Sequence, residues 1–217
     1  MFYKLLLPAA AAVLLMGCAS AIQDKYFDLW ESVGVEKREI LVDRIQNAQE
    51  TQKEAQQEFA SALAEFSALI NFDGGALEDI YNDLNDEYES SKKAALEVSN
   101  RIEKVESVAD SLFREWESEL ALITNTNLKR NSQQKLNQTR GNYDALLKSM
   151  RKVERSMAPV LAALRDNVLY LKHNLNATAI GALQGEFNTI KRDVDSLINE
   201  MNDAISQSDN FIQSLQN

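Results

Sequence analysis

Apolar residues recur at alternating steps of four and three along most of the chain, and this spacing constrains the fold more than any other feature. The first run is Leu41, Ile45, Ala48, Gln52, Ala55, Phe59, Ala62, Phe66 and Leu69. Heptad spacing of this kind places side chains on one helix face, where they pack as knobs into the holes of a partner helix. Of the two prolines only Pro159 lies beyond the first eight residues. Turn residues are too scarce for a β-rich or α/β chain, so the sequence predicts an all-α fold.

Three further runs follow the first, and each break between runs carries turn residues. The second run is Leu77, Tyr81, Leu84, Tyr88, Ser91, Ala95, Val98, Ile102, Val105, Ala109, Leu112 and Trp116. The breaks are Gly74-Gly75, the polar stretch 124–127, and a change of register at 173–176. We expect helices at about 25–70, 77–123, 127–172 and 177–215, within a bundle spanning 25–217. The simplest arrangement is an elongated antiparallel four-helix bundle or coiled coil.

The third predicted helix is basic, whereas the whole chain carries a net charge of -10. Residues 128–165 hold nine basic and two acidic side chains, and residues 71–123 hold 14 acidic and five basic ones. Its cations include Lys129, Arg130, Lys135, Arg140, Lys148, Arg151, Lys152 and Arg155. They form either a patch for lipopolysaccharide phosphates or anionic lipid, or the complement of the acidic helices beside them. We favour charge matching and expect no nucleic-acid binding.

The N-terminus has the pattern of a processing signal. Lys4 precedes an apolar run from Leu5 to Met16 that is too short for the roughly 20 residues needed to span a bilayer. The run ends in Gly17-Cys18, which resembles the bacterial lipoprotein signal, and Cys18 is the only cysteine. We expect a signal peptide at 1–17, cleavage between Gly17 and Cys18, acylation of Cys18 and a tether at 18–24. The resemblance, with Ala19 next, implies the periplasmic face of the outer membrane.

The two turns predicted opposite the anchored end are candidate partner-binding sites, since loops carry function more often than packed helix faces do. Their residues are Phe72, Asp73, Gly74, Gly75, His173, Asn174 and Asn176. His173 could titrate near the pH of the periplasm, but a residue in this position more often caps the carbonyl groups that end a helix.

Catalytic and metal-binding patterns are absent from the sequence. Gly74-Gly75 is followed by Ala76, not by the Lys-Ser/Thr of a phosphate loop. A dimetal centre of the ferritin type needs two Glu-x-x-His pairs, and the chain has one histidine. We therefore expect no enzymatic activity, no cofactor and no metal.

Several short stretches resemble one known family. They are Tyr26-Phe27, the turn at 72–75 with Leu77-Glu78 and Tyr81, and above all the stretch 167–177 with its Leu-Lys-His-Asn-Leu-Asn-Ala core. Together they resemble the bacterial domain-of-unknown-function family numbered 2959. The resemblance implies a helical coiled-coil envelope lipoprotein and brings no known activity.

These observations predict an outer-membrane-anchored periplasmic lipoprotein that acts as a helical scaffold or adaptor for an envelope protein or for peptidoglycan. Two alternatives stay open. A binder of lipid or lipopolysaccharide headgroups would use the basic third helix, and a self-assembling structural rod would expose unpartnered apolar seam. A closed bundle predicts a monomer, whereas pairing between chains would give a coiled-coil homo-oligomer.

Overall fold

The described part of the chain folds into four long antiparallel helices. A computed structural model describes residues 36–71, 74 and 77–216. The helices are α1 (Lys37–Ile70), α2 (Leu77–Leu122), α3 (Thr126–His173) and α4 (Ala177–Gln216). Each packs against its neighbours in sequence, and α1 also packs against α4, which closes the ring. The predicted all-α four-helix bundle is confirmed. The expected signal peptide, the tether and residues 25–35 of the first predicted helix lie outside the described residues.

Cross-helix contacts fix the relative heights of the helices. Lys37 on α1 pairs with Glu115 on α2 at 3.1 Å, and the Ser91 hydroxyl donates to the Glu58 carbonyl at 3.2 Å. One end of the bundle contains Lys37, the α2–α3 turn and the C-terminus of α4, and we call it the near end. The opposite end contains the other two turns, and we call it the far end. At about 1.5 Å per residue, the 46 residues of α2 span about 70 Å.

The heptad seams form the core. Fully enclosed side chains run along it from Leu41 and Ile45 near one end to Leu69 and Leu171 near the other. Gln52 and Ser91, polar members of the first two predicted seams, are also completely buried. The helix α3 continues through Pro159, whose nitrogen has no proton to donate to the carbonyl of Arg155.

Toward the near end of the bundle, α2 buries different residues from those that the heptad pattern predicts. Heptad counting assigns Leu112 and Trp116 to the core, but the structure buries Phe113 and leaves those two side chains partly buried. Ala109 and Phe113 are four residues apart, as are Val105 and Ala109, so two steps of four replace the expected alternation. Such a change in step shifts the buried face around the helix.

Candidate interaction surfaces

Of the eight α3 cations predicted as a candidate patch, three are held in ion pairs with acidic residues. Arg151 donates to both carboxylate oxygens of Glu106 on α2 and, at 2.7 Å, to Glu154 on its own helix. The hydrogen bonds to Glu106 raise the pKa of the Arg151 guanidinium, which keeps its charge. Lys152 pairs with Glu200 on α4 at 3.2 Å. These contacts join α3 to both of its neighbours.

Arg140 is the third paired cation and also contacts an aromatic cluster. Its Nη1 lies 2.7 Å from Glu117 on α2, and its guanidinium lies 4.9 Å from the centre of the Phe113 ring. The Tyr143 ring packs between Phe113 and Phe211, with centroids 5.4 and 6.0 Å away. Burial, and then the nearby Asp110 carboxylate, raises the pKa of the Tyr143 hydroxyl. This cluster joins three helices through their side chains.

The other five cations are exposed and fall into two groups. Lys148 and Arg155, with Lys152, line a groove of about 570 Å³ between α3 and α4, which Asp203 and Ser206 complete on the other side. Lys129, Arg130 and Lys135 lie near the start of α3, at the near end. Lys135 lines a cleft of about 630 Å³ there, together with residues of α1, α2 and α4.

The predicted partner-binding residues that the structure describes lie at the far end. Gly74 has a φ of 141°, a backbone conformation that favours glycine, and Phe72, Asp73 and Gly75 lie outside the described residues. The Gln184 amide nitrogen donates to the Ile70 carbonyl at 2.9 Å. Because this contact joins the start of α4 to the end of α1, it brings the two far turns to one end of the bundle.

Local capping accounts for both asparagines of the α3–α4 turn. Asn174 donates its backbone N–H to the Leu171 carbonyl at 3.0 Å and its side-chain N–H to the Tyr170 carbonyl at 2.9 Å. Asn176 accepts from the Ala179 N–H at 3.1 Å with its side-chain oxygen. These bonds satisfy groups that helix ends leave open. His173, the last residue of α3, is exposed.

An apolar group that was not among the predicted site residues lies beside this turn. Leu169, Tyr170 and Leu175 are 49, 41 and 43% exposed. Their neighbour Leu171 belongs to the seam and is fully buried. The signal available in the sequence was that these three residues fall off the heptad positions while remaining large and apolar.

A second exposed apolar group lies at the near end. Leu122 and Leu128 flank the α2–α3 turn and are 79 and 60% exposed. Asn125 caps α3, since its side-chain oxygen accepts from the backbone N–H groups of Asn127 and Leu128 at 3.0 and 3.2 Å. Farther from the tip, the Trp116 indole N–H donates to the Ser132 hydroxyl at 2.9 Å. The turn is therefore well ordered by hydrogen bonds although its leucines face outward.

Within the described part of the chain, no group of three or more His, Cys, Asp or Glu side chains is placed to hold a metal ion. In the same part, no helix combines the length and apolar character that crossing a membrane requires.

Comparison with known protein families gives a match. The family described as Protein of unknown function (DUF2959) matches residues 26–215, nearly the whole of the chain outside the N-terminal segment. Among curated proteins, none matches. The match includes all the described residues except Gln216, and with it the 167–177 stretch that carries the most specific part of the sequence resemblance. The chain therefore belongs to the DUF2959 family of proteins of unknown function.

Proposed function

We propose that the protein is a lipid-anchored scaffold or adaptor of the bacterial cell envelope, which holds a partner away from the membrane surface. The observation that carries the proposal is the exposed apolar group of Leu169, Tyr170 and Leu175 at the far end of a closed bundle. Exposed apolar residues that cluster at one place are typical of protein-binding surfaces. The proposal assigns no chemical reaction to the chain.

The distance between the two ends supports this role. Acylation of Cys18 would hold the near end, because the chain enters α1 there at Lys37. The far turns would then project to about 70 Å from the anchored end, by the length of α2. The placement of the protein at the periplasmic face of the outer membrane rests on the Gly17-Cys18 motif and on Ala19.

The charge pairs of α3 also support a structural role for that helix. Arg140, Arg151 and Lys152 form ion pairs with acidic side chains of the neighbouring helices. These three cations therefore support helix pairing rather than ligand binding. Charge complementarity of this kind contributes more to register and partner choice than to net stability.

Site-specific photocrosslinking in living cells tests the proposal. A photoreactive amino acid placed at Tyr170 or Leu175 should give a covalent adduct with one envelope protein or with peptidoglycan. Leu96, an exposed residue of the α2 shaft at 62%, provides the matched control and should give none. Palmitate labelling should be lost in Cys18→Ser. Equal adducts from Leu96 and the far end would contradict a role for that end, and labelling that survives Cys18→Ser would contradict the anchor.

A further inference from the structure

The α2–α3 hairpin extends beyond the rest of the near end. Lys37 and Glu115 lie at one level, and α2 runs seven residues farther to Leu122, about 10 Å. On the other side, Gln49 of α1 hydrogen-bonds Asp209 of α4 at 2.8 Å, and α4 ends only seven residues later. Among the described residues, the tip of the hairpin therefore has neither α1 nor α4 beside it. We call residues 120–130 the near tip.

The near tip exposes apolar side chains that the bundle does not use. Leu122 and Leu128, at 79 and 60%, lie one on each side of the turn, and Ile123 between them is half-buried. Large aliphatic side chains at the end of a helical hairpin gain free energy from any apolar phase that meets that end. The exposed leucines on both sides of this turn therefore indicate a surface that binds an apolar partner or phase.

The charge of the near tip is opposite to that of the chain. It holds Lys129 and Arg130 and no acidic residue, whereas the whole chain carries -10. Within the described part of the chain, Lys129 has no ion-pair partner, and Arg130 bonds only the neutral Asn127 side chain at 3.4 Å. The first turn of α3 carries no acidic residue, and cations there add to the positive end of the helix dipole. An anionic surface would attract this tip and repel most of the remaining chain.

We propose that the near tip binds the surface of a phospholipid bilayer that contains anionic lipids. Leu122 and Leu128 insert at the level of the headgroups, while Lys129 and Arg130 contact lipid phosphates. The inference deepens the proposed function and rests on it for the position of the lipid anchor at the same end. A lipid chain alone holds a rod at a single point, whereas a second contact at the near tip holds the bundle upright and directs the far end away from the membrane.

Fluorescent labels read the depth of the near tip directly. Because Cys18 is the only cysteine and would be acylated, a cysteine introduced at Leu122 or Leu128 is the only free thiol. Each variant is labelled with an environment-sensitive dye and reconstituted as the lipidated chain in vesicles of phosphatidylethanolamine and phosphatidylglycerol with brominated acyl chains. We expect quenching at both tip positions and none at Leu96→Cys or Leu175→Cys, whose native side chains are 62 and 43% exposed. Equal quenching at all four positions, or none at the tip, would overturn the inference.

A binding measurement tests the charge of the tip separately from the anchor. The Cys18→Ser chain, which has no lipid, should bind the same vesicles. The double variant Lys129→Gln/Arg130→Gln should bind about 25-fold more weakly, from about fivefold for each cation near an anionic surface. Lys148→Gln/Arg155→Gln, which removes two exposed cations from the shaft, should leave binding unchanged.

Each alternative occupant of the tip gives its own result. If residues 25–35 or a second copy of the chain covered the tip, the dye at Leu122 would report an apolar environment before any vesicle is added, and the inference would be overturned. If Cys18 were not acylated, the proposed anchor would fail, while the Cys18→Ser chain would still decide whether the tip binds lipid. Equal binding of that chain to vesicles of phosphatidylcholine alone would also overturn the inference, because the tip would then not recognise charge.

Discussion

Replacing Gln52 by leucine should stabilise the protein. Gln52 lies in the seam of α1, is completely buried, and neither its side-chain nitrogen nor its side-chain oxygen has a hydrogen-bond partner in the described structure. The two glutamines beside it on α1 reach α4. Gln49 donates to the Ile205 carbonyl at 3.0 Å, and Gln56 donates to the Ile198 carbonyl at 3.2 Å. Gln52 therefore differs from Gln49 and Gln56 because its buried side-chain amide makes no hydrogen bond.

The magnitude follows from the cost of burying an amide without a partner, about 1 to 3 kcal/mol from mutational data. Leucine has a similar volume and no polar atom, so it should fill the same space without that cost. We expect Gln52→Leu to raise the free energy of unfolding by about 2 kcal/mol. For a chain of this size, that corresponds to an increase in Tm of about 4 to 8 °C.

Urea unfolding of the Cys18→Ser chain, followed by circular dichroism, measures the effect, and Gln49→Leu is the matched control. Gln49 is nearly as buried but bonds both the Ile205 carbonyl and the Asp209 carboxylate, so its loss should destabilise by about 1 to 2 kcal/mol. A loss of stability in Gln52→Leu as large as that in Gln49→Leu would refute the reasoning, because the Gln52 amide would then have a partner such as an enclosed water molecule.

Three further predictions concern an interhelical ion pair, a helix cap and a carboxyl group with a raised pKa. A double-mutant cycle between Arg151→Met and Glu106→Gln should give a coupling free energy of about 1 to 2 kcal/mol that falls with added salt. Asn125→Ala should destabilise by about 1 kcal/mol in urea unfolding, because α3 loses its cap. Burial, and then neighbouring carboxylates, raises the pKa of Glu87, so the folded state holds that proton more tightly than the unfolded state and stability falls as pH rises through the raised pKa. Glu87→Gln should therefore have a higher Tm than the parent at pH 7, and the difference should disappear as the pH falls below 4.5, the ordinary pKa of the group.

Each of these has a control within the chain. Asn125→Ser keeps an accepting side chain at the cap and should retain most of the stability, and an equal loss in both variants would count against capping. Lys92 and Glu89 form an exposed pair on one helix, and their cycle should give less than that of Arg151. A Glu87→Gln effect that stayed the same from pH 7 to pH 4 would show that the substitution acts through packing and not through the proton.

The sequence predicted the helices well because a heptad seam is a local pattern with a single geometric outcome. Ile45, Phe59 and Val98 all fall on predicted seam positions and are at most 1% exposed. The prediction failed where the step changed, at Phe113. The Phe113 ring packs against Tyr143 of α3, which in turn packs against Phe211 of α4, and no local pattern in α2 contains that information.

The surfaces were less predictable than the fold. Charge sums indicated that α3 has acidic neighbours, but they did not indicate that Arg151 would reach Glu106 while Lys148 would line a groove. The outcome depends on the relative heights of the helices, which only cross-helix contacts fix. The same holds for Leu122 and Leu128, whose exposure follows from how far α2 and α3 extend past α1 and α4.

In the described bundle, α1 and α4 are the one pair of neighbouring helices that no turn connects. Gln49 and Gln56, seven residues apart on α1, hydrogen-bond backbone carbonyls of α4 across this interface. Because the two helices are far apart in sequence, closing this interface carries a larger loop-closure entropy cost than pairing any two helices joined by a turn. Until the 40 residues of α4 have been synthesised, the apolar face of α1 is uncovered and the amides of Gln49 and Gln56 lack their acceptors on α4. A chain that stops before α4 would thus leave the apolar face of α1 exposed and would be prone to aggregate.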